Sequence, residues 1–234
     1  RACGMLDAYL RCIPADGGCD EGAAYWNMAA GSLLDCLELM AEAGLNCWDE
    51  PKLRNMLRFP LLMSLGNGYF ANFADCDARA GELLRDAALT AMGQNLRGQP
   101  TDCIGDVPHF SRLLQRLFHP AGAGQPAGDT QDTLLPDLQV RIIRRNGWTL
   151  CIKGGHNGES HNHNDVGSLM VYVDGHPLLV DAGNMVYTAK TFSDARYTLW
   201  NCRSMYHNVP LIGGFEQCAG AEYAARNFRA LPDG

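Results

Sequence analysis

The chain has 234 residues, enough for one large domain or two modest ones, and its 47% hydrophobic content is that of an ordinary folded protein. A formal net charge of −7 argues against non-specific nucleic-acid binding, yet leaves room for a local basic cleft that takes an anionic substrate. No apolar run approaches the ~18 residues of a membrane-spanning helix, so no membrane partner is expected.

From about residue 5 to residue 118 the hydrophobic period is helical. In AAYWNMAAGSLLDCLELMAEAG, Ala30, Leu33, Leu37 and Met40 recur at threes and fours and share one face. Tyr25 and Trp26 read as helical core. EPKLRNMLRFPLLMSLG predicts a second helix, with Pro51 suited to its first turn. DARAGELLRDAALTAMGQNL predicts a third, N-capped by Asp77, and PHFSRLLQRLF a shorter fourth. No strand pattern interrupts them. HPAGAGQPAGDTQDT, rich in Gly and Pro, reads as a linker or exposed loop. The period then shifts to short β-type runs: LQVRIIRR, WTLCIKG, SLMVYVDG and HPLLVDAG. Asp174-Gly175 marks a hairpin turn between the last two. Helices first and strands afterwards predict an α domain followed by an antiparallel β domain, not a βαβ sheet.

The ten cysteines run from Cys3 to Cys218 without a C-x-x-C pair, against a zinc ribbon or a thioredoxin-type motif. Several, Cys36 among them, sit in apolar helical patterns. They read as reduced, buried thiols, favouring a cytoplasmic setting over a periplasmic or cell-envelope one, with a disulfide framework as the alternative. The chain begins RACGMLDAYL, without an initiator Met or signal peptide, and reads as an internal piece of a longer protein.

The densest chemistry lies in GGHNGESHNHND, residues 154–165. If extended, this segment projects His161 and His163 from one face. Two such imidazoles begin a zinc site that a carboxylate and a third imidazole would complete. Asp181 in PLLVDAG and His207 in SMYHNVPL are the downstream candidates. His109, His119 and His176 read as cap, surface or turn residues, and His156 as a loop residue near the dense stretch.

The stretch KGGHNGESHNHNDVGSLMVYVDGHPLLVDAGN, followed by RYTLWNCRSMYHNVPLIGGFEQ, closely resembles the C-terminal β domain of the heparinase II/III-like proteins. Its HNHND, VDAG and HN elements stand in the family's order. PADGGCDEGAAYWN and NGYFANFADCD resemble, more loosely, the family's DG…E…Y segment and its G-x-F-x-x-F-x-D loop. The resemblance implies an incomplete (α/α) toroid over 1–120, a linker over 121–137 and an antiparallel β-sandwich from 138 to 234. It implies a polysaccharide lyase that cuts uronic-acid-containing chains by β-elimination. The family's zinc ligands fall on His163, Asp181 and His207, the zinc being structural, and its active-site histidine falls on His161.

Such an elimination needs a neutralised uronate carboxylate, a base for the C5 proton and an acid for the leaving O4. In the family a toroid residue contacts the carboxylate, and Glu21 matches it best. A glutamate must be protonated for that role, and Asp20 and Asp16 are candidate acidic neighbours to raise its pKa. A tyrosine of lowered pKa can serve as base: Tyr69 in GNGYFANF is the first candidate, Tyr187 the second for the cleft. For a polyanion, Arg196 and Arg203 are candidate ligands, with Lys153 and Lys190 nearby and Asn162 in the motif itself. The rival readings are a catalytically degenerate glycan-binding relative and a metal-dependent glycan hydrolase. The particular uronate glycan and the oligomeric state are not readable.

Overall fold

The structure is a computed structural model in which residues 2–45, 50–79 and 131–231 are described. The bodies of the third and fourth expected helices lie outside these residues, as do His109, His119 and most of the expected linker.

Three helices come first: α1 (Ala2–Cys12), α2 (Ala23–Glu42) and α3 (Pro51–Leu62). Trp26, Ala30, Leu33 and Leu37, spaced by four, three and four, form the buried stripe of α2. Trp26 is core as expected, its indole N–H donating to the Met56 carbonyl at 2.7 Å. Helix α3 begins at Glu50, whose carboxylate accepts from the Lys52 backbone N–H, with Pro51 in the first turn. Pro60 lies inside it, cannot donate, and α3 stops two residues later.

A small hairpin follows, β1 (Ser64–Gly66) and β2 (Tyr69–Phe70), where an uninterrupted helical region was expected. Asn67-Gly68 makes the turn with φ of 48° and 76°, the doubly left-handed geometry of a two-residue hairpin. The remaining strands are β3 (Thr133–Leu135), β4 (Val140–Arg145), β5 (Trp148–Lys153), β6 (His156–Asn157), β7 (Ser168–Val173), β8 (His176–Leu179) and β9 (Gly220–Ala224). β3, β4, β5, β7 and β8 form one antiparallel sheet in that spatial order, while β6 pairs with β9. The expected hairpin at Asp174-Gly175 is present, and Asn146-Gly147 makes another between β4 and β5. The sheet begins at Thr133, inside the stretch expected to be linker.

Val140, Ile142, Cys151, Met170 and Tyr172 point from the sheet into the same core as Trp26, Leu53 and Phe59. Each such side chain contributes roughly 1.5–3 kcal/mol on burial, so this apolar contact, not surface ion pairs, joins helices to sheet. Asp16 reinforces the join by accepting from the Asp137 and Leu138 backbone N–H groups at 2.8 and 3.0 Å. The described residues are thus mixed α+β with a five-stranded antiparallel sheet. A closed toroid and a second layer of a sandwich are not formed by these three helices and this sheet. The eight described cysteines are free.

Residues 71–76 form a buried passage between the two halves. Gly22, at φ 87°, lets the start of α2 approach it: a Cβ there would lie 2.8 Å from both Cys76 Cβ and the Phe73 carbonyl. On the other side Asn72 donates to the Asp181 carbonyl at 3.1 Å, and the Asn184 N–H to the Cys76 carbonyl. This passage carries Asp75 into the site.

Candidate active site and metal pocket

The dense polar stretch is not extended. Residues 158–161 run as turns and a bend, and His161 sits at φ 51°, in the left-handed region. The expected common face for His161 and His163 is therefore not formed. The two rings instead approach different oxygens of one carboxylate: His161 Nδ1 is 2.7 Å from Asp75 Oδ2, and His163 Nε2 is 3.0 Å from Asp75 Oδ1. The His163 side chain is fully buried, whereas that of His161 is 19% exposed.

His163, Asp181 and His207 come together with their ligand-type atoms within 4.8 Å of one another. Asp181 follows β8, and its side chain accepts from Ser168 Oγ on β7 at 2.8 Å. His207 follows a run of short 3-10 turns at Arg196–Thr198, Trp200–Cys202 and Ser204–Tyr206. Its Nε2 lies 2.8 Å from the Asn201 carbonyl, which leaves Nδ1 facing the Asp181 carboxylate at 2.8 and 3.0 Å. His163 Nδ1 is buried without a hydrogen-bond partner. A buried bare imidazole nitrogen is costly unless something occupies it. Two imidazoles and a carboxylate, each imidazole with its other nitrogen engaged, suit a divalent cation of zinc type. Burial pulls the His207 pKa down, but Asp181 more than offsets this, leaving it raised. Burial would raise Asp181, and His207 holds it lowered. Asp165, beside the pocket, is pushed up to about 6 by burial and by the Asp181 charge.

The second cluster surrounds His161. Tyr25, on the first turn of α2, stacks at 4.2 Å between ring centroids, and its hydroxyl hydrogen-bonds that of Tyr187. The expectation that Tyr25 is core is thereby corrected: its ring is half-buried at the site. The Tyr187 hydroxyl donates to Asp75 Oδ2 at 3.2 Å and lies 3.3 Å from His161 Nδ1. Glu21, immediately before α2, brings Oε2 to 3.8 Å from His161 Nε2. Burial raises the Glu21 pKa, His161 opposes this, and Asp20 and Asp75 add to it. Asp16 is committed to the β3–β4 turn instead. The Tyr187 pKa is raised by burial, by the Tyr25 hydroxyl and by Asp75, opposite to the lowered value expected of a tyrosine base.

Tyr69 does not join this cluster. Its hydroxyl accepts from Arg79 at 3.1 Å, and its ring packs on Tyr172. The expected substrate-binding side chains are also engaged. Arg196 is buried and donates to the Asn162 and Thr191 carbonyls and to both oxygens of Asp75. Asn162 is buried and donates to the Asn157 carbonyl, Asn164 and Tyr197, so it fixes the loop. Arg203 pairs with Glu216 and lies near the Tyr206 ring. Lys153 is buried against Glu159 at 2.7 Å. A cavity of about 800 Å³ reaches Glu21, Asp20 and Ser160, but Met5, Leu6 and Met28 also line it and His161 does not. That lining is too apolar for a polyanion.

Asp75 is the residue that sequence reasoning missed. It is the last residue of GYFANFAD, quoted above only as a loop resemblance. It accepts from His161, His163, Arg196 and Tyr187, all more than 80 positions away in sequence. Burial would raise its pKa, but the hydrogen bonds from His163 and His161 and the Arg196 charge hold it well below the usual carboxylate range.

Residues 127–230 match the model of the heparinase II/III-like C-terminal domain. No curated protein matches the sequence. Among solved structures, a heparinase III gene product with methylated lysines is similar at TM-score 0.59 and 17% identity, over 88% of this chain and 31% of that one. A heparan sulfate lyase mutant from Pedobacter heparinus gives 0.57 and 16%, over 87% and 31%. A further heparinase III gives 0.52 and 16%, over 88% and 34%. The chain thus spans about a third of the length of these proteins, and at these identities the likeness is one of fold. That domain match covers the segment holding His161, His163, Asp181 and His207, so over residues 127–230 the chain is similar to the C-terminal domain of the heparinase II/III-like proteins.

Proposed function

We propose that the protein of which this chain is part is a polysaccharide lyase cleaving uronic-acid-containing glycans by β-elimination. The observation that carries this reading is the half-open cluster of His161, Glu21, Tyr25 and Tyr187 built on Asp75. The similar solved structures include a heparan sulfate lyase and heparinases III, so heparan sulfate is the first substrate to try.

In this reaction the C5–H bond breaks, its electron pair forms the C4=C5 double bond, and the C4–O4 bond breaks as O4 takes a proton. His161 Nε2 is the base in this reading, since Nδ1 is engaged by Asp75. The Tyr187–Tyr25 hydroxyl pair is the acid, because a phenol whose pKa is raised holds its proton until the leaving oxygen needs it. Glu21, whose pKa burial raises, would in its protonated form donate to the uronate carboxylate, which makes the C5 proton more acidic. His163, Asp181 and His207 would hold zinc as a structural ion that fixes the strand ends beneath the cluster. Their burial leaves no room for a glycan at that pocket, which favours the lyase over a metal-dependent hydrolase.

The test is an assay of the full-length protein on heparan sulfate and a panel of other uronate glycans, reading the ultraviolet absorbance of an unsaturated uronate product. Absorbance growth with at least one glycan is expected. Glycan affinity without such product would support a binding protein instead, and chain cleavage without absorbance a hydrolase.

A further inference from the structure

We infer that Asp75 is a positioning residue that fixes the tautomers of two imidazoles at once, exposing a bare nitrogen of His161 to the substrate side and a bare nitrogen of His163 to the metal pocket. That the bare His161 nitrogen meets a substrate rests on the lyase reading; the two tautomers do not.

The geometry leaves little freedom. A carboxylate offers acceptors only, so whichever ring nitrogen faces it carries the proton when the imidazole is neutral. Asp75 Oδ2 faces His161 Nδ1 at 2.7 Å, which places the proton on Nδ1 and leaves the Nε2 lone pair free on the Glu21 side. Asp75 Oδ1 faces His163 Nε2 at 3.0 Å, which places that proton on Nε2 and leaves Nδ1 bare. The buried, unpartnered state of His163 Nδ1 is the independent sign of this arrangement. The same acid thus imposes opposite tautomers on residues two apart.

Asp75 is itself held against rotation. Arg196 Nη2 reaches both of its oxygens at 3.1 and 3.0 Å, and the Arg196 Nε and Nη1 are tied to the Asn162 and Thr191 carbonyls. Asn162 lies between the two histidines, so the guanidinium grips the very turn whose rings Asp75 orients. The flanking backbone is tied on both sides, by Asn72 to the Asp181 carbonyl and by the Cys76 carbonyl to the Asn184 N–H. A buried Arg with this bonding is a brace for Asp75, not a free substrate ligand.

The test uses full-length protein labelled with ¹⁵N-histidine, in its metal-loaded and chelated forms, at a pH where both imidazoles are neutral. Long-range ¹⁵N–¹H correlation reads the tautomer of each ring. In wild type, His161 is expected protonated on Nδ1 and His163 on Nε2. Asp75→Asn presents one amide N–H₂ in place of one acceptor, so at least one of the two rings is expected to switch tautomer. Metal affinity should fall about 10–100-fold where His163 switches. Where His161 switches, kcat should fall on the order of a hundredfold or more, with KM changed far less. A wild-type His161 protonated on Nε2 overturns the inference, even if Asp75→Asn does not fold. So does a folded Asp75→Asn with both tautomers unchanged. Wild-type protein without lyase activity, but with both tautomers as expected, retains Asp75 as the positioning residue and refutes the lyase reading alone.

Discussion

His161 and His163 stand two residues apart and touch the same carboxylate, yet their surroundings differ in kind. His163 lies in a closed pocket with Asp181 and His207, where every side chain is nearly or wholly removed from solvent. His161 lies under two tyrosines and a glutamate, with 19% of its side chain still exposed. The closed pocket concentrates charge that only a partner or a metal can compensate. The open cluster keeps Tyr187 37% exposed and sets the Glu21 carboxylate 3.8 Å from His161 Nε2. Burial, rather than residue type, is what distinguishes the two histidines.

The comparison breaks most severely at the closed pocket. His207→Ala leaves Asp181 charged and buried without its partner, and a loss of about 3–5 kcal/mol or more is expected in denaturant unfolding. A loss under about 1 kcal/mol would mean the pocket is not a structural element. At the open cluster, His161→Ala should lower kcat roughly 10²–10⁴-fold while the unfolding midpoint stays nearly unchanged.

Glu21 sharpens the comparison through pH. Its pKa is raised above the ordinary 4.5, so the protonated form persists upward in pH and is lost as pH rises through the raised value. KM for a uronate glycan should therefore rise with pH across that window. Glu21→Gln keeps a donor and cannot ionise, so its KM profile should flatten there. An unchanged profile in the variant would remove Glu21 from the carboxylate-binding role. Smallest is Arg203→Ala: its pairing with Glu216 is at the surface, so about 1 kcal/mol of stability at most and little change in KM are expected.

Much of this arrangement was legible in the residues. The four β-type runs became β4, β5, β7 and β8, and the Asp174-Gly175 turn formed where expected. His163, Asp181 and His207 met as proposed, because each adjoins a strand end or a turn tied to the sheet. The short hairpin at Asn67-Gly68 was missed because strands of three and two residues carry almost no periodicity, although the Asn-Gly pair was its signal. Extended geometry failed at His161 because that residue is left-handed and turns the chain. The surroundings of Arg196 and Tyr25 were not legible for another reason. Their partners, Asp75 and Tyr187, are 121 and 162 positions away, and no local pattern reports such a contact.

The division of labour between the two histidines is tested most directly by the bound metal in two full-length variants, His161→Ala and His163→Ala, set against wild type. The account predicts that His161→Ala retains the wild-type metal content and fold, while His163→Ala loses both metal and stability. Equal loss of metal in the two variants would contradict it.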